Sequence, residues 1–190
     1  YGAGAIGRGY LAPLLQKFGM EISFVDRDQN VITGLKSRKT YSIAITGHND
    51  YEFVNVPIEN AYIFGEKINV SDFDLVFSCV GPSNCYDLAE DLKDAKAVIS
   101  CENDMATVSG LQKLTGNPNI YFGIPDVITS NTAPSELLDN DPLMAVTEKG
   151  VLVIEKGEYT LPKEILQVNQ DELKMHWMCK LFIHNAPHAI

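Results

Sequence analysis

The sequence predicts an α/β fold built on a doubly wound, mostly parallel sheet. Three observations predict it. Glu21 to Val25, Asp74 to Val80 and Ala97 to Cys101 are short apolar runs of strand length. Segments with helical spacing alternate with them, the pattern of parallel strands joined by helical crossovers. The chain has 190 residues and is 45% hydrophobic, enough for one full α/β domain with a sizeable core and unlike a disordered chain.

Taken in order, Ile6, Leu11, Leu14, Leu15 and Phe18 form a helical stripe after a glycine turn, and Gly19 suits its end. Pro13 conflicts with that helix, because it lacks an N–H and crowds the preceding turn. Strand 21–25 leads to Asp26, and 28–35 suits a helix. Tyr41 to Thr46 and part of Tyr51 to Val56 alternate with period two around Gly47-His48-Asn49-Asp50, which predicts an added β-hairpin. Strand 74–80 breaks at Gly81-Pro82, and a helix is expected over 86–92. Strand 97–101 precedes Glu102-Asn103 and a helix to about Leu114, and Ile120 to Phe122 is a short strand. From Pro125 the texture changes: 139–142 reads as loop, and 143–146 and 151–154 as strands with 148–150 as the turn. A helix runs onward from about Gln170. The expected division is a domain over 1–135 and an extension over 136–190.

A net charge of −10 argues against a nucleic-acid surface, which needs Lys and Arg to neutralise phosphates. No apolar run reaches the ~20 residues of a membrane span, and no signal peptide is visible, so a cytoplasmic protein is expected. Cys79, Cys85, Cys101 and Cys179 form no CxxC pair, so neither a metal centre nor a redox motif is expected and the thiols read as reduced. Cys79 and Cys101 sit in apolar runs and read as small buried hydrophobes. The chain opens on Tyr1-Gly2 without a Met and closes inside an apolar stretch, which reads as a piece of a longer chain lacking its first strand.

Gly2-Ala3-Gly4-Ala5-Ile6-Gly7 matches GxGxxG. The first glycine permits a tight turn, the second lets a pyrophosphate approach the backbone, and the third lets the helix pack on the sheet. The anion then lies on the helix N-terminus, where N–H groups and the dipole favour it. The pattern alone is weak, but a helical stripe, a strand and then Asp26 follow it. An acidic residue there accepts hydrogen bonds from ribose hydroxyls and repels a 2′-phosphate, which favours NAD over NADP; Arg27 beside it works the other way. Together these predict a Rossmann-type cofactor site of Gly2, Gly4, Ala5, Ile6, Gly7 and Asp26. Val80-Gly81 ends a later strand at the same sheet edge and suits either cofactor contact or a simple strand break.

Lys180, Asn185 and His188 fit one broad helix face, lying within ~140° at ~100° per residue. His176 and His184 fall within ~40° of Lys180 by the same arithmetic, so spacing does not choose among the histidines. The competing reading is a solvated amphipathic helix with a snorkelling lysine.

GAGAIGRG at the start, Ser100-Cys101-Glu102-Asn103, Pro125-Asp126-Val127-Ile128-Thr129, Asn140-Asp141-Pro142-Leu143 and Lys180-x4-Asn185-x2-His188 occur together and in order. In this the chain resembles the polyol-specific long-chain dehydrogenases, the mannitol dehydrogenase family, over nearly its whole length. The resemblance implies metal-independent, NAD-dependent oxidation of a linear polyol or polyol phosphate and its reverse, by a Rossmann domain leading into a helical C-terminal substrate domain, most of it absent here. By the resemblance Lys180 is the general base, Asn103 and Asn185 hydrogen-bond the reacting oxygen, His188 orients substrate hydroxyls and Asp126 helps place the substrate. Val127 stands where the family has Arg, which weakens any role tied to that arginine. Asn103 also suits a helix cap. The family includes dehydrogenases of free polyols and hexuronate reductases. A non-catalytic dinucleotide-binding module would keep Gly2, Gly4, Gly7 and Asp26 but would not need Lys180, Asn185 and His188 together.

Overall fold

The computed structural model describes residues 1–48, 50–130 and 134–185, of which 130, 140 and 183–185 by backbone alone. In chain order the elements are α1 (Ala12–Gln16), β1 (Ser23–Asp26), α2 (Gln29–Arg38), β2 (Thr40–Thr46), β3 (Tyr51–Pro57), β4 (Asn60–Ile63) and β5 (Val76–Ser78). There follow α3 (Ala89–Leu92), β6 (Val98–Ser100), α4 (Ala106–Thr115), β7 (Ile120–Asp126), β8 (Thr129–Ser130) and α5 (Ser135–Asn140). The last are β9 (Ala145–Thr147), β10 (Val151–Glu155), β11 (Leu166–Val168) and α6 (Gln170–Cys179). Strand pairing is mostly parallel: β1 with β4, β2 with β9, β5 with β6, β6 with β7 and β10 with β11. Among the described residues no helix is long and apolar enough to cross a membrane.

The chain divides into two compact units, Tyr1–Ile68 with Val127–Gly150, and Asn69–Asp126 with Val151–Ile190. In the first, a π-helical stretch over Ala5–Leu11 runs into α1. This resolves the conflict at Pro13. The Ala12 N–H bonds back to Gly7 O, and Pro13 falls in the first turn of α1, where its missing N–H is not needed. Asp28 caps α2 by accepting from the Asn30 and Val31 N–H groups at 2.9 and 3.2 Å. The hairpin of β2 and β3 forms in the register Thr40↔Pro57 to Thr46↔Tyr51. Phe24, Ile32, Leu35, Tyr41, Ile43, Val56 and Ala145 build the core. Strand β4 carries no period-two pattern and escapes the sequence reading; it pairs parallel with β1.

Two expectations are corrected. The strands near 143–146 and 151–154 are not joined as a hairpin across 148–150. Strand β9 lies parallel to β2 and antiparallel to β8, whereas β10 pairs antiparallel with β7 in the other unit. Pairing follows the burial of apolar faces, not nearness in sequence: the β2 stretch Ile43, Ala44 and Ile45 is buried, and β9 covers its edge. Asp139 and Asn140, read as loop, close α5.

The second unit carries a five-stranded sheet in the order β11-β10-β7-β6-β5. Strand β7 runs past Phe122, where the sequence reading ended it, through Gly123 and Pro125 to Asp126. Gly123 is needed there because a Cβ would meet Ile99 Cγ2 at 2.6 Å and Cys101 Sγ at 3.0 Å. Helix α6 begins with a capping box: the Asn169 side chain accepts from the Glu172 N–H at 3.0 Å, and the Glu172 carboxylate from the Asn169 N–H. Leu173 and Trp177 turn its inner stripe onto Phe122, Ile124, Val153 and Val168.

Candidate functional site

The expected site residues fall into two sets, one in each unit. In the first unit Gly2 takes φ +92° and donates its N–H to Val25 O at 2.8 Å, so the chain turns beside β1 directly into the helix. Among the described residues no side chain caps that helix at Gly4. The N–H groups of Ala5, Ile6 and Gly7 precede its first backbone bond, from Arg8 N–H to Gly4 O. Such a turn suits a pyrophosphate. Asp26 ends β1 with one carboxylate oxygen accepting from Ala3 N–H at 2.6 Å and the other from Asp28 N–H at 2.9 Å. Glycine turn and acidic residue are thus one hydrogen-bonded structure, half-exposed at Asp26. The neighbouring Arg27 guanidinium stacks over the Phe64 ring, 4.8 Å from its centroid.

Sequence reasoning overlooked the support beneath this turn. Arg8 is 5% exposed, and its guanidinium donates to the carbonyls of Ala3 and Leu143. Burial lowers its pKa against the pull of Tyr41 and nearby carboxylates. Asp141 holds the Leu143 segment, accepting from Leu143 N–H at 2.9 Å, Ser42 N–H at 3.1 Å and both Arg38 terminal nitrogens at 2.5 and 3.0 Å. The available signal was a charged residue placed directly after the last glycine of the motif.

In the second unit Lys180 closes α6 where it passes into a π-helical turn over Lys180–Asn185. It extends the inward stripe of Leu173 and Trp177 and is 7% exposed, so it is no snorkelling surface lysine. Its Nζ donates to Pro125 O at 2.6 Å, at the end of β7. Burial lowers the Lys180 pKa, while Asp126 and Cys101 oppose the shift. His176 is exposed, on the rim of the stripe that buries Lys180. The Asn185 side chain and all of His188 lie outside the described residues, as does the side chain of His184.

Val80 and Gly81 are half-buried after β5, with Gly81 at φ +92°. Asn103 follows β6 and is exposed. Helix α4 takes its local cap from the next residue, since Asp104 accepts from the Ala106 N–H at 2.9 Å. That leaves the helix-cap reading of Asn103 without support. Cys101 is buried, and burial pushes its thiol well up, whereas Cys79 is only half-buried. The residue between Cys101 and Asn103, Glu102, escaped the sequence reading as a site residue; it is buried and binds Ser78, Val80 and Gly81.

A family model, Mannitol dehydrogenase Rossmann domain, matches residues 1–115. Mannitol-1-phosphate 5-dehydrogenase of Enterococcus faecalis is 31% identical over 78% of this chain and 44% of its own length. The enzyme of the same name from Geobacillus stearothermophilus is 30% identical over 100% of this chain and 56% of its own. The chain therefore spans about half the length of these curated relatives. A solved ternary structure of D-mandelate dehydrogenase with NADH and anilino(oxo)acetate shares the fold at a TM-score of 0.69 and 15% identity, covering 94% of this chain and 58% of that one.

Proposed function

Because this chain belongs to the mannitol dehydrogenase family, we propose that the protein it represents oxidises a linear polyol phosphate, mannitol 1-phosphate, to fructose 6-phosphate with NAD and runs the reverse reduction. Buried Lys180 carries the reading. It is an amine with a burial-lowered pKa beside Asp126, at the end of a central strand. An ordinary lysine, with pKa ~10.4, is a poor base near neutrality, and burial makes it a useful one.

In alcohol oxidation the neutral Lys180 amine takes the hydroxyl proton. Pro125 O, accepting one Nζ hydrogen, orients the nitrogen for that transfer. Asp126 limits how far the pKa falls, so the protonated form stays accessible as the acid for ketone reduction. Asn103 and Asn185 are assigned to donate side-chain N–H groups to the oxygen as it gains negative charge, and His188 to hold substrate hydroxyls. Gly2, Gly4, Ala5, Ile6, Gly7 and Asp26 are assigned to the adenosine half of NAD, and Val80 with Gly81 to the other half. The first-turn N–H groups and the Asp26 carboxylate fit such a ligand. Bound NAD supplies the hydride acceptor.

The test is NADH oxidation by the full-length protein with fructose 6-phosphate, fructose, fructuronate and tagaturonate. A strong preference for fructose 6-phosphate is expected. Preference for fructose or a uronate would move the protein to a mannitol 2-dehydrogenase or hexuronate reductase function, and NADH binding without turnover on any of them would favour a non-catalytic module.

A further inference from the structure

We infer that Glu102 is a positioning residue whose buried carboxylate sets the Val80–Gly81 turn and, through the chain, Asn103. The inference rests on the reading that Val80 and Gly81 contact the cofactor.

Glu102 is 3% exposed. One carboxylate oxygen accepts from Ser78 Oγ at 2.7 Å and from Val80 N–H at 2.9 Å, and the other from Gly81 N–H at 2.8 Å. All three partners are donors, which suits a carboxylate and not an amide. The turn it holds is unusual in shape, with Gly81 in the left-handed region and the Asn84 side chain donating to Val80 O at 2.9 Å. Cys101 N–H donates to Ser78 O at 2.8 Å, carrying the β5/β6 ladder up to the residue before Glu102. Two backbone N–H groups just past the end of β5 are without a place in its ladder. Here they are pinned by a charge from just past the end of the neighbouring strand β6, and that charge is covalently next to Asn103. One buried group therefore fixes both the turn assigned to the nicotinamide half and the start of the segment assigned to the substrate oxygen.

The test uses the full-length protein and two ligands. NADH carries the nicotinamide half to which Val80 and Gly81 are assigned, whereas AMP lacks it. Glu102→Gln sets an amide NH2 against a backbone N–H, so NADH affinity falls by about tenfold or more while AMP affinity holds within about twofold. Glu102→Asp keeps the charge but is one methylene short, and its NADH affinity falls between Gln and wild type; it carries the comparison if the Gln variant does not fold. Unchanged NADH affinity in both variants overturns the inference. Equal losses of NADH and AMP overturn it too, since they mark a general structural role. Failure of the wild-type protein to bind NADH would instead remove the cofactor reading, and this inference with it.

Discussion

Asp141→Ala should cost about 3 kcal/mol of stability, and the reason lies in backbone N–H groups more than in the ion pair. The carboxylate serves four donors: two from Arg38, one from Ser42 and one from Leu143. The Arg38 side chain is 39% exposed, so its fork rehydrates when the carboxylate goes, a loss of at most ~1 kcal/mol. Leu143 is 4% exposed and its N–H would be stranded, at ~1–3 kcal/mol. The half-buried Ser42 N–H adds roughly 1. Arg38→Ala, which strands neither N–H, should cost only about 1 kcal/mol, and Asp141→Asn should fall between. Urea unfolding of the full-length protein followed by circular dichroism measures all three. Burial pushes the Asp141 carboxyl up, but Arg38 and the two N–H groups outweigh it, and the net pKa is lowered. Its contribution is therefore full above the unfolded value near ~4 and disappears as pH falls through the lower folded value. An Asp141→Ala loss under ~0.5 kcal/mol, or an Arg38→Ala loss as large as that of Asp141→Ala, would refute this reasoning.

Two further predictions concern the proposed reaction. Lys180→Ala should lower turnover about 10²–10⁴-fold with NADH affinity unchanged. The alkaline rise of polyol oxidation, expected below the ordinary lysine pKa because burial lowers that of Lys180, should vanish in the same variant. Weakened NADH binding with normal turnover would remove the base assignment. Asp26→Asn keeps an acceptor for Ala3 N–H but drops the charge that repels a 2′-phosphate, so NADP use should rise relative to NAD. An unchanged ratio of catalytic efficiencies would show that Asp26 does not read the ribose.

What was legible in the sequence was what local chemistry decides. The glycine turn and the helix starting at Gln170 depend on residues within a few positions of each other, and Asp26 at its strand end and the β2–β3 hairpin on segments no more than 23 positions apart. The pairings of β9 and β10 depend instead on which distant apolar edge each covers, and periodicity carries no such information. The reach of β7 beyond Phe122 was hidden for a related reason: Gly123 and Pro125 interrupt a propensity pattern, yet Gly123 sits where only a bare Cα fits against Ile99. In the site, Lys180 was legible as a residue but its burial was not, because an isolated helix does not show which side meets a sheet. Glu102 and Arg8 stayed hidden because a charged residue reads as solvated until its partners, from 5 to 135 positions away, are in place.

The interleaving of the two units has a consequence for how the protein is made. Unit one needs β9, a buried strand that follows all of residues 69–126 in the chain. On the ribosome, β2 would therefore wait with an open edge until residue 150 had emerged, and such non-local closure is slow. A fragment trimmed to the family match at residues 1–115 would keep that edge open permanently and would lose the Leu143 carbonyl that holds Arg8. It would expose one edge of β2, which stays paired with β3 on its other side, and an open strand edge is the feature that drives edge-to-edge aggregation. Expression boundaries should accordingly fall beyond residue 150, and chaperone dependence during synthesis should be greatest while β2 is uncovered.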